Sequence, residues 1–161
     1  MKHSLSTKTH TILSVLISGF FLLCDIALKH FAYTHQTFTA YLVKPWFGWE
    51  YFGNGGVAFS IPLPGSLILA LTPIVVTGIL VMYYKKQRKS FLFSLGTFLL
   101  VFGAVSNFID RLSLGVTIDY IRVVTSVINV ADIMIVAGAL LLLTSTKSTP
   151  SSSTVDPTTK E

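Results

Sequence analysis

The sequence predicts a mainly α, polytopic membrane protein: four transmembrane helices with a small extracytoplasmic β element. Three observations carry that reading. Of the 161 residues, 52% are hydrophobic and only 12% are charged, about half the charged fraction of an ordinary soluble domain. Mean hydropathy is +0.69. The apolar residues gather into four long runs, and the lysines cluster at the ends of those runs, as in membrane topology, instead of interleaving with aromatics as on a nucleic-acid-binding face. The net charge of +5 therefore does not imply a nucleic-acid partner. The single cysteine, Cys24, excludes an intrachain disulfide or a multi-cysteine metal site and reads as a small apolar helix residue.

Residues 1–10 are polar, with Lys2 and Lys8, and lead into an apolar run over 11–31 that is interrupted by Asp25, Lys29 and His30. About 20 residues at 1.5 Å each span the hydrocarbon core, so this run makes a first helix. A cleaved signal peptide fits less well, because no small-x-small site follows Leu23 and the pattern continues past Asp25. Residues 33–65 are polar and aromatic, with Pro45, Pro62, Pro64 and a turn at Gly53, Gly55 and Gly56. Alternation in Phe38–Val43 and the aromatics Trp46, Phe47, Trp49, Tyr51 and Phe52 predict a small β element on the membrane surface. A second helix is expected over 66–84, kinked by Pro73, and ends at the basic run Lys85–Lys89. A third follows over 91–107. Asp110–Thr125 reads as a loop, and a fourth helix is expected over 127–143. These elements make one membrane domain, residues 1–144. The Ser/Thr/Pro-rich segment 145–161 has too little apolar surface to fold and reads as a disordered tail.

The charge bias sets orientation. The N-terminus, the 85–89 run and the tail hold eight of the lysines and arginines; Lys29, Lys44, Arg111 and Arg122 fall on the other side. The lysine-rich side is cytoplasmic, so both termini lie inside and the loop carrying Asp119 lies near the outer face.

Acids at the edge of apolar runs are expensive to keep, and this chain has only seven acidic residues. Asp119 and Asp132 are thirteen positions apart, with Asn129 just before the second. A loop could lay one carboxylate against the other; such a pair shares a proton and can activate a water. Two independent interfacial acids, or a proton relay, would show the same spacing. Asp25 and Lys29 share a helix face, either as a snorkelling ion pair or as a brace for the outer site. Asn54, ahead of Gly55-Gly56, either makes a tight turn or offers its amide to an extended peptide. Asn107, Asp110 and Arg111 end the third helix as an interfacial charge cluster, or present a guanidinium to a lipid ester or phosphate. His3, His10, His30 and His35 lack metal-ligand spacing, no serine or cysteine has a nucleophile's context, and no phosphate loop is present, so no metal or cofactor is expected.

With these residues in hand, the chain resembles the lipoprotein signal peptidases, the signal peptidase II family. The resemblance covers most of residues 25–135. Asn54-Gly55-Gly56-Val57-Ala58-Phe59-Ser60 is similar to the family's N-x-G-x-A-F-S block, and Asn107-Phe108-Ile109-Asp110-Arg111 to its G-N-x-x-D-R block. Leu114–Tyr120 is similar to the block holding its first catalytic aspartate, and Asn129-Val130-Ala131-Asp132 to the N-x-A-D block holding the second. Asp25 and Lys29 keep its D-x-x-x-K spacing. Departures are Ile26 and Leu28 beside Asp25, Phe102 and Ser106 where glycines are usual, Tyr120 for Phe, and Ile128 before Asn129.

The resemblance implies a membrane aspartic endopeptidase that removes signal peptides from diacylglyceryl-modified prolipoproteins, cutting before the lipidated cysteine. Asp119 and Asp132 would be the catalytic pair; Asn54, Asn107, Arg111, Asn129, Asp25 and Lys29 would bind substrate or order the site. Its partners would be lipid-modified precursors and membrane lipids, with a monomer favoured, in a bacterial cytoplasmic membrane. The alternative on the residues alone is a small proton-coupled transporter that uses its intramembrane acids as a relay.

Overall fold

The computed structural model describes residues 6–56, 64–87 and 89–146. In chain order these form α1 (Thr7–Thr34), β1 (Ala40–Val43), β2 (Phe47–Asn54), α2 (Gly65–Lys85), α3 (Phe91–Leu114), β3 (Thr117–Val123), β4 (Ser126–Ile128) and α4 (Val130–Thr146). Val57-Ala58-Phe59-Ser60 of the first motif, Pro62, Arg88 and the tail from 147 lie outside the described residues.

The helices keep large apolar side chains on the outside: Leu16, Phe20, Leu23, Ile74 and Leu140 are all well exposed. A helix that is apolar all round is matched to lipid or to a buried core, and among the described residues these faces have no protein against them. α1, α2 and α3 are each long and apolar enough to cross a membrane, while α4 is an apolar helix of 17 residues.

α3 is central and packs against α1, α2 and α4. Its approach to α4 depends on missing side chains. A Cβ at Gly103 would lie 2.6 Å from the Ala131 carbonyl oxygen, and one at Gly138 would lie 2.6 Å from that of Gly96. Without a hydrophobic drive between helices in lipid, small residues that let backbones touch are what hold such pairs together. Gly103 also sets the site, because Asn107 lies one turn further along α3 and Asp132 is next to Ala131.

The boundaries differ from the sequence expectation in two informative places. α3 runs to Leu114 instead of stopping near 107, and ends at Gly115, whose φ of 76° and N–H bond to the Arg111 carbonyl (3.0 Å) make a left-handed helix stop. Asn107, Asp110 and Arg111 therefore lie within the helix. α4 begins at Val130 instead of about 127, since Ser126–Ile128 pairs as a strand.

The segment read as a loop, 110–125, contains β3. The four strands form one antiparallel sheet in the order β1-β2-β3-β4, so the β element is not confined to 33–65. β3 did not show the alternation of a strand because it is buried on both faces over Thr117–Tyr120, and of its two partners, β2 and β4, the first lies more than sixty residues earlier. Ile118 and Tyr120 pack with Ala32 of α1 and with Leu28, Trp49 and Val130, which seats the sheet on one end of the bundle. Glu50 ties the strands across their outer face, accepting from both Tyr41 and Arg122. At the other end, His10 meets the Lys89 carbonyl (3.2 Å) and Thr11 meets Tyr83 (2.8 Å), joining the start of α1 to the α2–α3 connection.

Candidate active site

The first turn of α4 fixes the site. The first N–H groups of a helix have no intrahelical partner, and here each of the first three is taken by a side chain. Val130 N–H donates to the Tyr120 hydroxyl (3.2 Å), Ala131 N–H to Asp25 Oδ1 (3.1 Å) and Asp132 N–H to Asn129 Oδ1 (2.8 Å). Asp132 Oδ2 in turn accepts from the Asn129 backbone N–H (3.3 Å). Asn129 and Asp132 thus form a capping box, with Asp in the place usually taken by Glu or Gln. The three-residue spacing of the N-x-A-D block is the spacing of that box.

Asn129 also reaches the other acid. Its Nδ2 donates to Asp119 Oδ1 at 2.6 Å, and Asn54 Nδ2 donates to Asp119 Oδ2 at 2.9 Å. Asn54 pairs with Thr117 in the β2–β3 register, which puts it diagonally beside Asp119 on the same face. Its Oδ1 accepts the Gly56 N–H (2.9 Å), an Asx turn that aims the amide. The turn weighed for Asn54 is present, and the amide weighed as a donor to an extended peptide donates here to Asp119. On the α3 side, Asn107 Nδ2 donates to Asp132 Oδ1 (2.8 Å) while its Oδ1 accepts from Asn129 Nδ2 (3.2 Å) and Lys29 Nζ (2.9 Å). Two carboxylates from different elements are therefore each held by amides on both oxygens, with Asn129 common to the two. Asp119 is buried and Asp132 is partly open.

The electrostatics follow from burial. Desolvation, and then the neighbouring Asp132 charge, push the Asp119 carboxyl up to about 7, against the pull of its bonds to Asn54 and Asn129. Asp119 can hold or release a proton near neutrality.

Asp25 and Lys29 do not snorkel. They are 0% and 4% exposed, with Lys29 Nζ 3.0 Å from Asp25 Oδ2 and 2.8 Å from Asp110 Oδ2. Asp110 also accepts the Ile118 N–H (3.1 Å), tying α3 to the residue before Asp119. Arg111 turns elsewhere: Nη2 donates to the Gly56 carbonyl (2.9 Å) and Nη1 to that of Asn107 (3.4 Å), while its buried Nε has no partner among the described residues. Arg111, Asn107 and Asp132 line a cavity of about 230 Å³ with Thr72. A second cavity of about 540 Å³, lined by Val124, Ile128, Ile133, Val136 and Leu140, reaches Asp132 from the β3–β4 turn. Asp132 thus lines both cavities.

All eight candidate residues therefore gather at one end of the bundle. Sequence reasoning missed two more, Ser106 and Tyr120. Both were visible as departures, a hydroxyl where the resembling pattern has none, but their partner, Asp25, lies about eighty or more residues earlier. Burial and the nearby Asp25 push the Tyr120 phenol well up, so it remains a donor. His35 caps the end of α1 and stacks on Phe31, away from the carboxylates (ring centroids 4.5 Å apart). No cluster of three or more His, Cys, Asp or Glu able to hold a metal occurs among the described residues.

A family model described as signal peptidase (SPase) II matches residues 17–147. A lipoprotein signal peptidase of Halothermothrix orenii is 39% identical over 105 residues, 63% of this chain and 71% of its own. One of Caldanaerobacter subterraneus is 29% identical over 134 residues, 81% of this chain and 92% of its own. The fold is similar to that of a bacterial membrane enzyme solved by the in meso method, with a TM-score of 0.75 at 23% identity, covering 88% of this chain and 94% of that one. The chain belongs to the signal peptidase II family.

Proposed function

We propose that this protein is an aspartic endopeptidase of the bacterial cytoplasmic membrane that removes the signal peptide from diacylglyceryl-modified prolipoproteins, cutting just before the lipidated cysteine. The observation that carries this reading is the shared amide: Asn129 bonds Asp119 at 2.6 Å and caps the turn that carries Asp132. Two acids brought together from a strand and a helix by one asparagine, with Asp132 lining both cavities, are the equipment of a water-activating pair.

In this mechanism the pair holds one proton. The Asp132 carboxylate takes a proton from a water as its oxygen bonds to the scissile carbonyl carbon. Protonated Asp119 gives its proton to the carbonyl oxygen, leaving a neutral tetrahedral diol. Collapse breaks the C–N bond: one hydroxyl returns its proton to Asp119, and Asp132 passes its proton to the departing amine. The elevated pKa of Asp119 supports its role as the acid. The apolar cavity beside Ile133 and Leu140 suits the apolar part of the precursor, and Arg111, whose Nε–H has no partner among the described residues, suits an ester or carbonyl oxygen.

Four crossings with both termini cytoplasmic agree with the lysines at the α1 start and the α2–α3 connection, which share one end, while the sheet caps the other. The described helices and sheet, through Thr146 at the end of α4, then belong to the peptidase domain, acting as a monomer. A proton relay would call for acids strung along the helices, whereas Asp119 is on a strand and Asp132 at a helix start. The test is in vitro cleavage of a precursor with and without its diacylglyceryl group. Cleavage of the lipidated form alone, at the bond before cysteine, is expected; no cleavage of it, or equal cleavage of both, overturns the reading.

A further inference from the structure

Asp25 is fully buried, yet no step of the proposed reaction uses it. A buried carboxylate persists only when its oxygens are satisfied, and the donors here come from every part of the site. Oδ1 accepts the Tyr120 hydroxyl (2.9 Å) and the Ala131 N–H (3.1 Å). Oδ2 accepts the Ser106 hydroxyl (2.6 Å) and faces Lys29 Nζ (3.0 Å). Tyr120 follows Asp119 on β3, Ser106 precedes Asn107 on α3, and Ala131 precedes Asp132 on α4. One carboxylate on α1 therefore binds the immediate neighbour of each carboxylate in the pair and of the asparagine that holds the second.

Each hydroxyl also does a second thing. Tyr120 Oη, while donating to Asp25, accepts the Val130 N–H and so supplies one of the three caps of α4 (3.2 Å). Ser106 Oγ, while donating to Asp25, accepts from Lys29 Nζ (3.0 Å), whose ammonium also reaches Asn107 Oδ1 (2.9 Å). Tyr120 and Ser106 are 0% and 2% exposed, so water cannot replace either oxygen without rearrangement. The Tyr120 ring is held independently against Trp49 (centroids 4.8 Å apart), which leaves the hydroxyl as a separable contribution.

We propose that Ser106 and Tyr120 are positioning residues for the peptidase reaction: through Asp25 their hydroxyls lock α3 and β3 to the first turn of α4 and thereby fix how Asp119 and Asp132 face one another. The proposal rests on the reading of Asp119 and Asp132 as the reacting pair. Misplacing a reacting group by about 1 Å can cost on the order of 100-fold in rate, so loss of one of several anchors should lower turnover by about 10-fold while leaving substrate binding, made in the cavities, nearly unchanged.

The experiment uses the full chain in proteoliposomes with a diacylglyceryl-modified precursor, comparing Tyr120→Phe and Ser106→Ala with the parent; each removes one oxygen and leaves the packing volume nearly intact. Folded fraction at the assay temperature is read by circular dichroism. The expected result is a kcat lowered about 10-fold in each, with KM within about twofold, after correction for folded protein. The proposal is overturned if both variants keep kcat within twofold, if KM rises while kcat holds, or if the losses vanish once folded fraction is counted. Asp119→Asn and Asp132→Asn run alongside separate the two readings. Retained cleavage in either overturns the pair and this proposal together, whereas their inactivity beside unaffected hydroxyl variants overturns this proposal alone.

Discussion

Asn129 and Asp132 cap one another: the Asn129 side chain accepts the Asp132 N–H at 2.8 Å, and the Asp132 carboxylate accepts the Asn129 N–H at 3.3 Å. A catalytic candidate is thereby built into a helix start signal, so the same bonds that start α4 also fix where its acid points. Asn129→Ala should lower stability by about 1 kcal/mol, the usual cost of losing a cap, and also cripple cleavage. Asn129→Ser restores a good cap but cannot reach Asp119. Thermal unfolding close to the parent's, combined with activity as low as that of Asn129→Ala, is the outcome expected from melting curves and cleavage assays run side by side.

Asp119→Asn and Asp132→Asn keep shape but remove the ability to exchange a proton. Each should reduce cleavage of a lipidated precursor by at least about 1,000-fold while membrane insertion, measured by fractionation and protease accessibility, stays normal. Near-parental processing by either variant would show that the pair is not the reacting group.

The pH profile carries a directional test. Asp119 has its carboxyl pushed up to about 7 by burial and by Asp132, so the descending alkaline limb of kcat/KM should fall near neutrality, where the last proton of the pair is lost. Asn54 bonds the ionised form and pulls this value down. Asn54→Ala should therefore move the alkaline limb to higher pH, in addition to any loss in rate. A limb that stays in place would remove Asp119 from the profile.

The same shift also predicts an effect on stability. The folded state binds the Asp119 proton more tightly than the unfolded chain, whose carboxyl titrates near 3.8. Between those two values the unfolded chain has lost the proton and the folded one has not, so stability falls as pH rises from about 4 to about 7. Asp119→Asn cannot ionise, and its melting temperature should decline less over that interval than the parent's, which differential scanning fluorimetry can read.

Gly103 tests the helix contact beneath the site. Its added Cβ would meet the Ala131 carbonyl oxygen at 2.6 Å, whereas one at Gly78 would meet nothing within 4 Å. Gly103→Ala should destabilise by about 1–3 kcal/mol, as overpacking does, and depress activity by moving Asn107 away from Asp132. Gly78→Ala should be neutral or stabilising by up to about 1 kcal/mol, from helix propensity alone. Melting curves that rank the two the other way would remove the close α3–α4 contact.

What the sequence determined by itself was whatever repeats along a helix or stands out by cost. Apolar runs placed all four helices, since helical structure and lipid exposure are local properties of about twenty consecutive residues. The Asp25–Lys29 pair was readable because four positions is one helical turn. Asp119, Asp132 and Asn129 stood out because acids and amides are rare beside such runs, though spacing alone left a relay as open as a catalytic pair. Tertiary structure decided the rest. β3 was missed because its burial on both faces over Thr117–Tyr120 erased the alternation that marks a strand, and of its two partners β2 is separated from it in the chain by α2 and α3. The end of α3 depended on the φ of Gly115, and the start of α4 on whether Ser126–Ile128 found a strand to pair with. Asp25 looked like an ion-pair partner from its own helix; only packing turned it into the carboxylate on which α1, α3, β3 and α4 converge, because a buried charge draws donors from whatever segments the fold brings within reach, irrespective of their distance along the chain.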